Sequence, residues 1–405
     1  MNQDYDVIVV GARCAGAPTA MLLAQQGHRV LLVDRASFPS DTLSTHMIHA
    51  PGIAALRRWG LLDDVVGTGC PAIDRYSFDF GPITIAGTPV PADDGGRIAY
   101  APRRTVLDKI LVDGAARAGV EIRERFTVEE ILVEGGAVVG IRGHADGGAS
   151  VVERARVVVG ADGRSSVVAR AVGAAQYDER PVLQGGAYTY WSGFPVSGFE
   201  VVVRPDRGWA ALPTNDDLTL VVLGWPAAEL TAFKTDVEQN YLKTLELDPA
   251  FAERVHAATR EDRFHVGEVS SWFRTPFGDG WALVGDAGYN KDPITAQGIT
   301  DAFHDAERCS DALHLALSGA RDFAEVMGEY QRARDEHARP IYEFTSQLAT
   351  LEPPPAELQQ LLGAVHGNQE AMDAFVSITA GTLSPVDFFD PAHIGRIMAA
   401  AAAPA

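Results

Sequence analysis

Three carboxylates each close an apolar, strand-like run, two of them directly beside a glycine. Asp34 ends the segment Asp6 to Arg35, Asp162 stands in Ala161-Asp162-Gly163, and Asp286 stands in Gly285-Asp286. The first is preceded by Gly11-Ala12-Arg13-Cys14-Ala15-Gly16, a turn that opens a helix. Gly11 permits a tight exit from the strand, and Gly16 lets the helix pack close. Amides at the helix start can bind a pyrophosphate with help from the helix dipole. An acid 23 residues after Gly11 suits the hydroxyls of a ribose. Together these features read as a dinucleotide site, although the first segment alone does not separate NAD from FAD. Arg13 stands where the middle glycine of such a turn is usual. Its side chain either points away or meets a phosphate.

Other residues offer chemistry around that site. Asp162 reads either as a functional carboxylate at a strand end or as a helix cap. Asp286 could hold sugar-chain hydroxyls. Pro293 to Gly298 leads into a helix at Ile299, whose first amides could stabilise negative charge on a bound ring. Three residues are candidates for proton chemistry: His46, Tyr289 and Asp292. For His46 a structural role competes with this reading, and for Asp292 a capping role does. Tyr188, Tyr190 and Trp209 are candidates for a substrate pocket, with core packing as the competing reading.

The elements that must position these groups follow from pattern. Val7 to Val10 is a buried parallel strand, Pro18 to Gln26 a helix closed by Gly27, and Arg29 to Val33 a second strand. Thr105 to Ala118 is a helix with Val106, Leu107, Ile110 and Leu111 on one face. Gly185 to Pro226 alternates and is rich in aromatics, which predicts an antiparallel sheet. Ile299 to Ser318 is a long helix, and the remainder is helical, interrupted at Glu352-Pro353-Pro354-Pro355. The expected fold class is α/β: a Rossmann-like domain with a parallel sheet, an inserted antiparallel β-sheet substrate domain, and a helical C-terminus. The expected boundaries are 1–75, 98–180 and 265–340 for the discontinuous cofactor domain. Residues 76–97 and 181–264 form the β-rich domain, and 341–405 the helical segment.

Composition narrows the partners. The 405 residues carry a net charge of −20, which disfavours nucleic acid and anionic lipid. Cys14, Cys70 and Cys309 have no CxxC spacing, so free thiols are expected rather than a metal or disulfide framework. No run of 18 uncharged apolar residues occurs, and acids at Asp4 and Asp6 argue against a signal peptide, so no membrane insertion and a cytoplasmic location are expected. The alanine-rich tail from Met398 reads as a fraying helix end.

The three glycine-acid segments, in this order and spacing, resemble the flavoprotein monooxygenases of the para-hydroxybenzoate hydroxylase type. The resemblance extends to their relatives, the geranylgeranyl reductases and flavin-dependent halogenases, and covers roughly residues 1 to 340. It implies FAD held in extended form. Gly11, Cys14, Ala15 and Gly16 would cradle the pyrophosphate, and Asp34, with Arg35 beside it, would bind the adenosine ribose. Arg104 would reach FAD, and Val128 would touch adenine. Asp162 would serve cofactor and nicotinamide binding, and Asp286 the ribityl chain. Pro293, Gly298 and Ile299 would lie against the isoalloxazine. It further implies a monooxygenase that uses NAD(P)H as a transient co-substrate and O2. One oxygen atom would pass from a flavin C4a-hydroperoxide to a small apolar or aromatic metabolite. A separate flavin reductase is a conceivable partner. Departures at Gly288-Tyr289 and Ile299-Thr300 set the chain apart from ordinary aromatic hydroxylases. Two alternatives remain: a reductase of an isoprenoid-like double bond, and a non-redox FAD-binding protein. Halogenation ranks low, because Trp191-Ser192-Gly193-Phe194-Pro195 lacks the halogenase Trp-x-Trp-x-Ile-Pro element and lysines are scarce.

Overall fold

The structure is a computed structural model that describes residues 5–92 and 94–402. Asp4 and the last three residues of the alanine-rich tail lie outside the described residues. Strand Tyr5–Val10 sits at the centre of a parallel sheet, between Val151–Gly160 and Val30–Val33. Trp281–Leu283 and Glu121–Arg123 extend it in parallel on either side. The unbroken apolar runs have a direct cause. Val7, Val9 and Leu32 pack against the helices Gly16–Gln25 and Gly298–Leu317. Ile8, Val10, Leu31 and Val33 pack against the opposite layer. Both faces are covered, so no polar alternation survives. That second layer is an antiparallel ribbon, Phe126–Glu134 and Ala137–Ala145, which continues into Val151–Gly160.

The aromatic region forms a second sheet. Its order is Thr259–Arg260 and His265–Glu268, then Gln184–Ser192, Leu218–Pro226, Arg207–Pro213, Phe199–Arg204, Tyr76–Asp79 and Thr84–Gly87. The sheet is mixed rather than antiparallel: Phe199–Arg204 runs parallel to Tyr76–Asp79. Tyr76–Asp79 enters from the cofactor side, far ahead of its partner in sequence, and hairpin connectivity does not set its direction. The last aromatic-region strand runs on to Trp225-Pro226. Ala187, Trp191, Val202, Trp209 and Val221 face an outer layer of helices between Leu230 and Ala257. Tyr188, Tyr190, Phe199, Leu212 and Leu220 face inward. There the C-terminal helices Ala356–Val365, Gln369–Thr379 and Pro391–Ala402 close over them. Among the described residues no helix is long and apolar enough to cross a membrane.

Candidate active site

The three glycine-acid segments meet at one point. A Cβ on Gly11, whose φ is 102°, would strike the carbonyl of Ala161, so the first segment is pressed against the second. A Cβ on Gly285 would strike the side chain of Ala15, so the third is pressed against the first. Gly16 lies against the Gly11 carbonyl and serves helix packing; it is not part of the cavity wall. From this junction a cavity of about 1690 Å³ extends beneath the second sheet.

Each expected cofactor residue has a definite place. Asp34 accepts hydrogen bonds from Ala12 N and Ala36 N, both at 2.7 Å, and borders the cavity beside exposed Arg35. Val128 lines the same end. Arg13 turns sideways: its guanidinium binds Asp108 and donates to Ser40 Oγ at 3.0 Å. Arg104 donates to both oxygens of Asp108, at 3.0 and 3.1 Å, and Cys14 Sγ lies 3.5 Å from it. Asp108 is fully buried and carries two arginines, and burial pushes the Cys14 thiol well up. Asp162 Oδ2 accepts from Val167 N at 2.6 Å, while its Oδ1 is buried without a partner. Both the capping and the free-carboxylate readings of Asp162 are thus physically present, one on each oxygen.

In the third segment, Asp286, Pro293 and Gly298 are exposed to the cavity, whereas most of their neighbours are buried. Asp286 lies deep in the molecule, which pushes its carboxyl pKa up, and Arg164, Arg104 and Lys291 pull it back. A Cβ on Gly298 would meet nothing within 4 Å. Ile299 is buried at the start of the 20-residue helix behind it. These exposed backbone and carboxylate groups, with the unpartnered Asp162 Oδ1, fit an extended FAD along the three segments.

The proton-chemistry candidates separate. Asp292 is 2 % exposed; its Oδ1 accepts from Gln184 Nε2 at 2.7 Å and Ile294 N at 2.9 Å. Its Oδ2 has no partner, and burial raises its pKa to about 6 against those two hydrogen bonds. His46 is fully buried, has φ 63° and hydrogen-bonds Tyr190 Oη, behind the cavity wall rather than in it. Burial drives its pKa down to about 3, so it is a neutral ring at physiological pH. Tyr289 borders the cavity, but its ring is stacked on Phe273 with centroids 4.6 Å apart.

The substrate candidates divide likewise. Tyr188 lines the cavity, stacked on His265. Tyr190 is held by His46 and lies under the Arg103 guanidinium, outside the lining. Trp209 is among the residues that border the cavity, and its indole packs against Phe251 and Arg204 with the residues of the outer face. Strand alternation puts it opposite the inward-facing Ala210 and Leu212. Four participants escaped the sequence reading. Asp108 had a signal, four residues after Arg104 on one helix face. Gln184, and the pair of buried Lys291 with half-buried Asp301, had none.

Known proteins of several activities share this architecture. "Tryptophan 2-halogenase" of Chondromyces crocatus is 24% identical over 96% of this chain and 78% of its own length. "Probable NADH-specific resorcinol 4-hydroxylase" of Rhodococcus jostii is 25% identical over 86% of this chain and 65% of its own length. "Digeranylgeranylglycerophospholipid reductase 1" of Methanopyrus kandleri is 26% identical over 86% of this chain and 91% of its own length. The solved structure of the flavin-dependent brominase Bmp2 superposes with a TM-score of 0.83 at 17% identity, covering 98% of both chains. The model of the FAD binding domain family matches residues 4–345, across all three segments that converge on the cavity, and this chain therefore belongs to that family and is an FAD-dependent oxidoreductase.

Proposed function

We propose that the protein is a monooxygenase that uses NAD(P)H and O2 to insert one oxygen atom into a small apolar or aromatic metabolite. The observation that carries this reading is the junction at Pro293 and Gly298, where the exposed strip beside the FAD site opens into a chamber walled by Phe78, Phe199, Val201, Leu212 and Val222. Reduced flavin supplies the oxygen chemistry when bound. The chain's own residues would hold it: Gly11, Cys14 and Ala15 at the pyrophosphate, Asp34, Arg35 and Val128 at the adenosine end, Asp286 at the ribityl chain, and Pro293, Gly298 and Ile299 at the ring. Arg104 and Asp162 would complete the pyrophosphate side. The apolar wall would then exclude water from the reacting face.

Two features of the cavity bear on the alternatives. Against halogenation stands the state of the lysine at the cavity wall: Lys291 is spent on Asp301 and covered by the Tyr289 ring. For double-bond reduction stand the apolar residues Phe344, Leu351, Leu361, Phe375 and Phe389 in the cavity's lining, which suit an isoprenoid. The deciding experiment supplies candidate substrates with NAD(P)H under 18O2 and analyses the product. One labelled oxygen per turnover, with matching NAD(P)H oxidation, is the expected result. Undiminished anaerobic turnover would replace this reading with the reductase, and a halogenated product in bromide buffer would replace it with halogenation.

A further inference from the structure

Three arginines are buried among the described residues, and two of them are neutralised. Arg104 lies 2.9 Å from Asp108, and Arg334 lies 2.7 Å from Asp335. Arg274, 8 % exposed, makes no ion pair with any described residue. Its Nη1 donates to Ala287 O at 2.7 Å, and its guanidinium covers the Trp272 ring at 4.2 Å. These contacts occupy one nitrogen and one face. Nε and Nη2 have no hydrogen bond, yet neither belongs to the fully enclosed unpartnered atoms, so both N–H edges keep contact with the outside. A buried charge without a counter-charge is costly, so this guanidinium calls for a partner that the described residues do not provide.

Arg274 lines a second pocket, of about 470 Å³, which shares no lining residue with the FAD cavity. It lies between the helix Val167–Ala171 and the strands Gln176–Arg180 and Ser271–Arg274. Ala169, Gly173 and Ala174 line it with nothing larger than a methyl group. Gln176 is the register partner of Arg274, so its amide stands on the same face of the sheet. Arg170 lines the helix side; it is exposed, makes no ion pair among the described residues and donates to Ser165 O. The two guanidinium groups are near enough to repel each other. The one acid in the lining, Glu179, is exposed, which leaves the lining net positive in a chain of net charge −20. Asp162 attracts Arg274 from the FAD side without forming an ion pair, and its free oxygen is enclosed.

We propose that this pocket binds a phosphate group, held between Arg274 and Arg170 with the Gln176 amide as a further donor. A guanidinium offers a fork of N–H groups that matches phosphate oxygens, and two such groups neutralise the dianion. The occupant is free phosphate or a phosphate ester, and the 2′-phosphate of NADPH is the ester that the proposed reaction would bring. The site itself does not rest on that reaction. Through Ala287 O, Arg274 also touches the Gly285–Ala287 turn that carries Asp286, which puts the pocket directly behind the FAD segments.

The test uses the FAD-loaded protein at pH 7.5, with inorganic phosphate replacing chloride at constant ionic strength while the 31P resonance of phosphate and the melting temperature are followed. Saturable binding with a Kd of about 1 mM or tighter is expected, with a melting temperature that rises as the site fills. Arg274→Gln and Arg170→Ser should each weaken binding at least tenfold. FAD content checks that the variants fold, and Arg170→Ser, at an exposed position, keeps the test open if Arg274→Gln does not. Phosphate that behaves like chloride, or unaltered phosphate binding in folded Arg170→Ser and Arg274→Gln, overturns the proposal. Competition by NADP+ and NAD+ distinguishes the sources. Displacement of phosphate by NADP+ at least tenfold better than by NAD+, lost in Arg274→Gln, supports the site and assigns it to the 2′-phosphate of the hydride donor. Phosphate binding that neither nucleotide disturbs supports it as a site for free phosphate or another ester. The monooxygenase reading fails separately, because none of these readouts depends on O2.

Discussion

Asp292 is the residue where local physics is most exposed to measurement. Both of its donors, Gln184 Nε2 and Ile294 N, sit on one oxygen, and the other is buried bare. Burial lifts the pKa from 3.8 to about 6. The folded state therefore holds a proton that the unfolded state has lost between those values, and stability falls as pH rises through that window. Asp292→Asn carries no charge to desolvate. In the FAD-free protein it should be more stable than the parent by about 1–2 kcal/mol above pH 6.5, with the gap closing below pH 4. That is less than the roughly 3 kcal/mol of the full shift, because the new amide is itself unpartnered. Urea titrations at pH 4, 5.5 and 7.5 read this directly, and a pH-independent difference would refute it. Asp108 predicts the opposite sign. It is fully buried and holds Arg104 and Arg13 together, so Asp108→Asn strands two guanidinium groups. A loss of about 3 kcal/mol is expected, at the low end for a broken buried pair because Arg13 is partly solvated. The same titration reads it.

At the scale of elements, legibility followed how local the cause was. The βαβ unit was readable because Gly11, Gly16 and Asp34 lie within one stretch of chain. The long helix behind Gly298 was readable from its apolar face. The inserted sheet was readable as strands, but not in its pairing: Tyr76–Asp79 runs parallel to Phe199–Arg204 across more than a hundred residues of sequence. The same distance hid the alignment of Gly267, Gly186, Gly224 and Gly208 on four adjacent strands, which register alone brings about. It also hid which face Trp209 shows, since a one-residue phase decides between cavity and outer layer. Pro293 and Gly298 were readable as a turn into a helix, and the structure adds that their surface is bare. Because a Cβ at Gly298 meets nothing within 4 Å, Gly298→Val should leave the FAD-free fold intact while filling the space where the ring would lie. We expect at least a tenfold loss of FAD affinity by fluorescence titration, with an unchanged melting temperature in the FAD-free protein. Full FAD affinity in that variant would place the ring elsewhere.

At the scale of the molecule, the cavity is what the separated parts of the chain have in common. Its walls come from the parallel sheet, the antiparallel ribbon at Val128, the mixed sheet and the C-terminal helices. A ligand spanning that space binds only when all of these are assembled, so FAD should act as a stabiliser of the whole rather than of one domain. At a hundredfold excess over its Kd the added stability is about 2.7 kcal/mol. If the cavity unites the layers, that gain appears as one cooperative transition moving upward by a few degrees, with probes in both sheets shifting together. Tryptophan fluorescence reports the second sheet through Trp191, Trp209 and Trp225, whose substitution by Phe would leave Trp59, Trp272 and Trp281 to report the cofactor side. Melting curves of the parent and the triple variant, with and without FAD, should shift by the same amount. Splitting into two transitions, with only the Trp59 and Trp281 signal responding to FAD, would mean that the sheets unfold independently and that the mixed sheet does not sense the cofactor.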